Sequence, residues 1–410
     1  MTVPVARRYD AYKASEAEWL GEVPNAWNVV RTKELFAERN QRSLAGEETL
    51  LTVSHITGVT PRSEKNVNMF MAETMEGYNV CHEGDLIINT MWAWMGALGT
   101  SPYDGICSPS YGVYAPRKGV PYCARYYDYL FRTPNAIIEM TRFSKGIVSS
   151  RLRLYSDKFF QIAVPLPDFV TQQAIADYLD AKTAQIDRRI DLLTQKAAKY
   201  RQLKQSLINA AVTHGLDRSM PMKDSGVEWI GEVPAHWQIS RVKELGILSR
   251  GVDLSRESFR EGPYPVYGSN GILGYHSEFT TKGPCVTVGR SGSVGEVNYV
   301  SSNFWAHNTA LFLQNSFDND IRFIFYLLRS LDLQSYSAGS AVGTLNRNII
   351  HQLVIAIPPS SEQNAIAVYL DGKAVHIDRI IDSVKSEIEK LKELRKALIN
   401  DVVTGKLRVT

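Results

Sequence analysis

At 410 residues the chain exceeds the size at which one hydrophobic core keeps growing, so two or more units are expected, and 44% apolar with 10% aromatic residues excludes a disordered chain. The net charge of +3 is too small to announce nucleic acid through bulk attraction. The start, MTVPVARRYDAYKASEAEWLGEVP, has no signal-peptide core, and no stretch reaches the roughly 18 apolar residues of a membrane span, so a cytoplasmic location is expected.

Cys81, Cys107, Cys123 and Cys285 lie far apart with no CxxC pair, and the eight histidines show no HxxxH spacing. Neither a zinc site nor a disulfide framework is expected.

The first marker along the chain is EWLGEVPNAW, Glu18 to Trp27, which returns as EWIGEVPAHW, Glu228 to Trp237, with seven of ten positions identical. A second, AIADYLDAKTAQIDRRID from Ala174, returns from Ala365 as AIAVYLDGKAVHIDRIID with twelve of eighteen identical. The offsets are 210 and 191 residues, so the material between the markers is 19 residues longer in the first half. Little identity is visible between the markers. Two near-constant frames thus enclose two diverged contents, an internal repeat.

Within the first content, GDLIINTMWAWMGALG from Gly84, CSPSYGVYAP from Cys107 and SKGIVSSRLRL from Ser144 suggest short strands and loops. Asn89, Trp92, Trp94, Tyr111, Lys145, Ser149 and Arg151 are the candidate contact residues here. Trp92 and Trp94, on alternate positions, either pack in the core or line one face of a strand.

From Thr171 an apolar stripe runs through Ile175, Leu179, Ile186, Ile190, Leu193, Ala197, Tyr200 and Leu207, in steps of three and four. Ile366, Leu370, Ile377, Ile381, Val384, Ile388, Leu391 and Leu398 repeat it in the second half. Sustained spacing of this kind with charges between is a coiled-coil pattern. AVPLPDF and IAIPPSSE precede the two helices, and Thr213-His214-Gly215 and Thr404-Gly405-Lys406 end them. About forty residues make a rod on the order of 60 Å long. A rod of this kind needs a partner, and the chain supplies one, so the two helices are expected to pair antiparallel within one chain with a module at each end. Tyr178 and Tyr369 join the stripe residues as candidates for helix pairing or partner docking.

The second content carries YPVYGSNGILGY from Tyr264, CVTVGRSGSVGEV from Cys285, AHNTALFL from Ala306 and YSAGSAVGTLNRNII from Tyr336. Glycine punctuation between β-branched residues suggests strands joined by tight loops. These loops offer Tyr267, Ser269, Asn270, Arg290, Ser291, His307, Thr309, Thr344, Asn346 and Arg347, side chains that read base edges or grip phosphates. For Arg290 and Arg347 the plainer reading is a surface arginine on a hairpin. No Lys-Ser/Thr follows the glycine loop, which argues against a phosphate-binding P-loop. Both contents are nearly neutral yet richer in arginine than lysine, ten against five in residues 28–160 and eight against two in 238–357, which suits bidentate recognition.

Taken together, DSGVEWIGEVPAHW, YPVYGSNGILGY with VGRSGSVG, and PPSSEQNAIAVYLD resemble the specificity subunits of type I restriction-modification enzymes, over nearly the whole chain. The resemblance implies an α+β fold: two target-recognition domains with mixed, mainly β cores, joined by two long helices in an intramolecular antiparallel coiled coil, with a pseudo-two-fold repeat. The expected parts are residues 1–165, 166–227, 228–358 and 359–410, alternating target-recognition domain and helical region. The resemblance further implies double-stranded DNA with a bipartite, asymmetric site, a helical ruler setting the gap, two copies of the modification methyltransferase subunit, and motor-nuclease subunits joining through that complex. The chain itself would be non-catalytic and hold no cofactor or metal, with S-adenosylmethionine, ATP and magnesium on the partners. Consistent with this, Ile357-Pro358-Pro359-Ser360 lacks the polar and aromatic residues with which amino-methyltransferases hold a flipped base, and neither a Walker motif nor a nuclease signature is found. The first content departs from the family's YGSNG and GRSGSVG wording, so its candidates rest on layout.

Two other classes remain open from sequence. A stand-alone modification or restriction enzyme would turn over DNA without partners. A coiled-coil protein scaffold would bind its partner with its module loops replaced.

Overall fold

A computed structural model describes residues 7–65, 74–146, 151–337 and 343–409. Contacts divide it into two units, Met1–Leu192 with Glu387–Thr410, and Leu193–Ser386. The division passes through both long helices, Phe169–His214 and Ser360–Val403. At 46 and 44 residues they are longer than the spacing predicted, each roughly 65–70 Å. The first starts two residues before Thr171 because Asp168 caps it: Thr171 donates its N–H and its hydroxyl to the Asp168 carboxylate at 2.9 and 2.7 Å, which holds that carboxyl below its usual range.

The first unit begins with a hairpin, Tyr12–Ala14 against Glu22–Pro24, that carries the first marker. Asn28–Arg31 then pairs antiparallel with Ala163–Leu166, so everything between leaves and returns through two neighbouring strands. That is why a constant frame can enclose a variable content. Inside lies a four-stranded antiparallel sheet in the order Phe36–Glu38, Tyr111–Pro116, Leu86–Asn89, Leu98–Thr100. A hairpin, Leu51–Ser54 with Gly58–Pro61, contributes Leu51, Val53 and Val59 to a small core with Ile87 and Val113.

In this unit the start of the first long helix packs with the end of the second. Ile175 and Leu179 share a core with Val402 and Val403, while Arg395 meets Asp187 at 3.0 Å and Arg189 meets Glu387 at 2.5 Å, an antiparallel register. Ile186, Ile190, Ile388, Leu391 and Leu398 are half-buried along this stretch. The second helix ends at a left-handed Gly405, which lies against Pro24 and the Trp27 ring; a Cβ there would stand 2.9 Å from the ring. Beyond it Arg7 and Arg408 exchange backbone hydrogen bonds.

The second unit repeats this plan. Met222–Asp224 pairs with Glu232–Pro234, Gln238–Arg241 with Val354–Ile357, and the four-stranded sheet runs Ile247–Arg250, Ala310–Asn315, Cys285–Gly289, Val297–Val300. Ile208, Ala211 and Val212 share a core with Ile366 and Leu370, and Lys204 meets Asp378 at 2.7 Å, again antiparallel. Ala197, Ile377, Ile381 and Val384 are buried and Leu193, Tyr200 and Leu207 half-buried. Left-handed Gly215 stands against Trp237 as Gly405 does against Trp27. The tryptophan ending each marker is therefore the seat for a helix C-terminus, and is buried to 2% exposure or less.

Tyr178 packs against the first unit's core, whereas Tyr369 does not share the seam's burial. Tyr178 is half-buried beneath Lys182 and Tyr369 exposed beneath Lys373, a matched pair of cation-aromatic contacts at 5.9 and 5.5 Å. Among the described residues no helix is long and apolar enough to cross a membrane.

Candidate nucleic-acid interface

In the second unit, four separate stretches of sequence meet where the inner strands Cys285–Gly289 and Ala310–Asn315 end together. The hairpin Tyr264–Gly268 with Gly271–His276 turns through Ser269 and Asn270. Beneath that turn passes the glycine loop: a Cβ on Gly289 would strike the Ser293 carbonyl and stand 2.6 Å from the Ser269 carbonyl, and one on Gly292 would stand 3.3 Å from Ser269 Oγ. The YGSNG and GRSGSVG motifs are thus one packing problem, and the glycines answer it.

Arg290 is threaded into this cluster by its backbone. Its N–H donates to the Thr309 carbonyl at 2.8 Å, its carbonyl accepts from the Leu345 N–H at 2.8 Å, and Ser291 bridges to Thr344. Its guanidinium reaches the Asn308 carbonyl at 3.4 Å. Tyr267 accepts the His307 N–H on its carbonyl at 2.9 Å. His307 Nδ1 accepts from the Thr309 N–H at 3.3 Å and Nε2 lies 3.2 Å from the Leu254 carbonyl, a network that assigns the proton to Nε2. Tyr267, Ser269, Asn270, Arg290, Ser291, His307, Thr309 and Thr344 are therefore brought together.

Asn346 has a structural task. Its side chain accepts from the Asn348 N–H at 2.9 Å and caps the short helix Arg347–Gln352, whose first residue, exposed Arg347, reaches Ser249 Oγ at 3.3 Å. On the same helix His351 Nε2 accepts the Leu248 N–H at 2.9 Å, and burial, with Arg347 and Lys243 nearby, lowers its pKa. In the cluster itself Asn308 donates to Asp253 at 2.6 Å, while its buried Oδ1 has no hydrogen-bond partner among the described residues.

The first unit places its candidates on the same skeleton. Asn89 ends the strand as Gly289 does, its N–H donating to the Ala97 carbonyl at 3.0 Å where Gly289 donates to Glu296 at 2.7 Å. Tyr111 stands opposite Asn89 across the sheet, and burial raises its phenol. Trp92 and Trp94 are not on a strand. Trp92 precedes and Trp94 sits within a 3-10 turn, Ala93–Met95, closed by left-handed Gly96, and the alternate spacing that suggested a strand is local to that turn. Trp94 Nε1 donates to the Met91 carbonyl at 3.0 Å, whereas Trp92 remains 50% exposed although its backbone N–H and carbonyl are both bonded within the loop. Lys145 pairs with Arg153 through reciprocal backbone bonds of 2.9 and 2.8 Å, and Arg151 is exposed. Ser149 lies outside the described residues.

Leu154 donates its N–H to the Thr90 carbonyl at 3.0 Å as Leu345 does to Arg290, so Thr90 is the structural counterpart of Arg290 and Ser156 that of Arg347. Sequence analysis missed Thr90, and also Ile56, 74% exposed at the tip of the first unit's hairpin, because neither carries a letter shared with the second unit.

A third repeated element also escaped notice. The helix Ala124–Phe131 and the helix Ile321–Ser330 carry RYYDYLFRT and RFIFYLLRS at an offset of 197, between the offsets of the two markers. Its signal is an arginine, a Tyr-Leu pair four residues on, and a second arginine followed by a hydroxyl residue.

The chain is thus built of two α+β units, each a loop-bearing antiparallel sheet held in a repeated frame of hairpin and long helix. Comparison with known proteins agrees. Residues 234–393 match the type I restriction modification DNA specificity domain. The chain is 21% identical over 280 residues to the type I restriction enzyme MjaVIII specificity subunit of Methanocaldococcus jannaschii, spanning 61% of this chain and 63% of that one. It is 24% identical over 240 residues to the EcoprrI specificity subunit of Escherichia coli, 57% of this chain and 56% of that one. The chain thus spans under two thirds of the length of these relatives. In fold it is similar to a chain in a structure described as the structural basis of complex assembly and conformational transition of the type I R-M system, with a TM-score of 0.71 at 15% identity over 93% of this chain and 98% of that one. It is also similar to the HsdS subunit from Thermoanaerobacter tengcongensis, with a TM-score of 0.55 at 16% identity over the same shares. The chain is a relative of type I restriction enzyme specificity subunits.

Proposed function

We propose that this chain is the DNA-reading subunit of a type I restriction-modification enzyme, directing methyltransferase and endonuclease partners to a bipartite, asymmetric site. The observation that carries the reading is the pairing of one repeated skeleton with two different sets of loop side chains. Such a chain holds two unlike readers at places of equal kind. Residues 1–165 and 228–358 are the readers, and 166–227 and 359–410 the helical regions that space them and dock two copies of the modification subunit. Tyr267, Ser269, Asn270, Arg290, Ser291, His307, Thr309, Thr344, Asn346 and Arg347 serve one half-site. Asn89, Trp92, Trp94, Tyr111, Lys145, Ser149 and Arg151 serve the other, with Thr90 and Ser156 added by structural equivalence. S-adenosylmethionine, ATP and magnesium belong to the partners, and this chain supplies position and specificity rather than chemistry.

The test is selection of random duplex DNA by the full chain co-expressed with its modification subunit. Two constant letter groups separated by a fixed unselected gap are expected. A single letter group, or no selection, overturns the reading, as does methylation or cleavage of DNA by the chain alone.

A further inference from the structure

Beside the apolar core it shares with a long helix, each reader carries two polar fastenings to that helix, and these match between units. In the first unit Gln172 accepts the Cys123 N–H at 2.8 Å, at the start of the helix Ala124–Phe131, while eight residues further along Asp180 accepts from Arg125 at 2.5 Å and from the Tyr129 hydroxyl at 2.8 Å. In the second, Gln363 accepts the Asp320 N–H at 2.9 Å, at the start of the helix Ile321–Ser330, and Asp371 accepts from Arg322 at 3.0 Å and from the Tyr326 hydroxyl at 2.7 Å. Both glutamines are essentially buried, at 0% and 1% exposure. Burial, the largest influence, raises both phenols, Tyr129 to about 12, so each remains a donor at neutral pH.

We propose that Asp180 and Asp371 are positioning residues that lock the tilt of each reader on its long helix and thereby fix the gap accepted between half-sites. The buried glutamine and the apolar seam hold each reader to its helix at one end of this contact, and the aspartate sets its angle at the other. A second contact eight residues away acts at a lever of roughly 12 Å along the helix, whereas one base pair advances the DNA by about 3.4 Å. Loss of that contact therefore lets the reader swing by an amount the DNA registers.

Stability does not account for the arrangement. The Asp180, Asp371 and Arg125 side chains are each more than two-fifths exposed, and ion pairs of that kind contribute little to folding. Yet arginine and tyrosine recur at matched places in two readers that otherwise share few letters, each pair facing an aspartate that the repeated helices keep. The first clasp is also doubled, Arg125 meeting Asp177 at 2.7 Å, where the second unit has Val368.

The inference rests on the DNA-reading function above, and the same selection experiment separates the two. For the full chain with its modification subunit, wild type is expected to favour one gap at least tenfold over gaps one base pair longer or shorter. Asp371→Asn and Tyr326→Phe should lower that ratio threefold or more while both letter groups stay the same. Asp371→Glu should restore part of it, and the reversed pair Arg322→Asp with Asp371→Arg should restore more. Tyr326→Phe removes a single hydroxyl, so it reports even where the aspartate variants fold poorly. A ratio unchanged in Tyr326→Phe and Asp371→Asn overturns the proposal while leaving the function standing. A changed letter group also overturns it, since Asp371 would then be shaping the reading loops. Absence of any two-part selection by wild type overturns the function itself and the proposal with it.

Discussion

In the second reader the loop after the central strand runs beneath a hairpin turn, with glycine at 289 and 292 where a side chain would meet Ser269 or Ser293. In the first reader the same loop is a 3-10 turn closed by Gly96, and it holds Trp92 half in solvent. Yet a backbone bond that pins each loop is shared, Leu154 to Thr90 in one and Leu345 to Arg290 in the other. Bonds made by main-chain atoms do not depend on the side chains they carry. The skeleton can therefore persist while every contact letter changes.

The largest expected effect tests whether the two units are independent. Trp237→Ala removes the buried seat beneath Gly215 and should cost about 3–5 kcal/mol, and Trp27→Ala should do the same for the other unit. Hydrogen exchange should lose protection in the mutated unit alone. Equal loss in both would show that the two fold as one cooperative body.

A smaller effect sharpens the contrast between the loops. Arg290→Ala and Arg347→Ala should each cost about 1–3 kcal/mol at one half-site if they read a base bidentately, whereas Trp92→Ala should weaken only the other half-site, with little change in salt dependence. Equal weakening on all DNA would make the arginines phosphate contacts.

Smaller again, Asn346→Ala should cost about 1 kcal/mol by uncapping the helix that presents Arg347, read as faster exchange of the amides in residues 347–352. The first unit, with Tyr155 at the matching place and no side-chain cap bond, offers no equivalent loss.

The smallest effect is a pH asymmetry. His351 is held neutral below its ordinary value near 6.5, so the unfolded chain takes the proton more readily, and its contribution is full above about pH 6.5 and declines as the pH falls below it. Phe160 stands at the corresponding place in the first unit. Mild acid should therefore lower the thermal midpoint of the second unit more than that of the first, and replacing His351 by Phe should narrow the difference.

The long helices and the tandem plan were legible from the spacing of Ile, Leu and Val and from two nearly identical markers. The role of the marker tryptophans was not, because a seat for a helix end is made by residues almost four hundred positions apart in the first unit. Convergence of the second reader's loops was half visible: the glycines announced close approach but not to what. The first reader's loop misled, since Trp92 and Trp94 alternate as on a strand while Gly96 permits a turn. The clasp helix was overlooked because its repeated letters, an arginine and a Tyr-Leu pair, are too sparse to stand out without knowing which aspartate they face.

One feature of the frame reaches beyond a single molecule. In each unit the reader departs and returns through two adjacent antiparallel strands, Asn28–Arg31 with Ala163–Leu166 and Gln238–Arg241 with Val354–Ile357. Neighbouring strands lie about 4.8 Å apart, so any insert whose ends emerge at that spacing can be grafted between them by recombination at the DNA encoding these borders. Under the proposed function a new recognition sequence would then arise in one exchange, with the remainder of the chain unaltered. The graft must bring its own arginine and tyrosine, though, or it will be joined to the chain without being aimed by it.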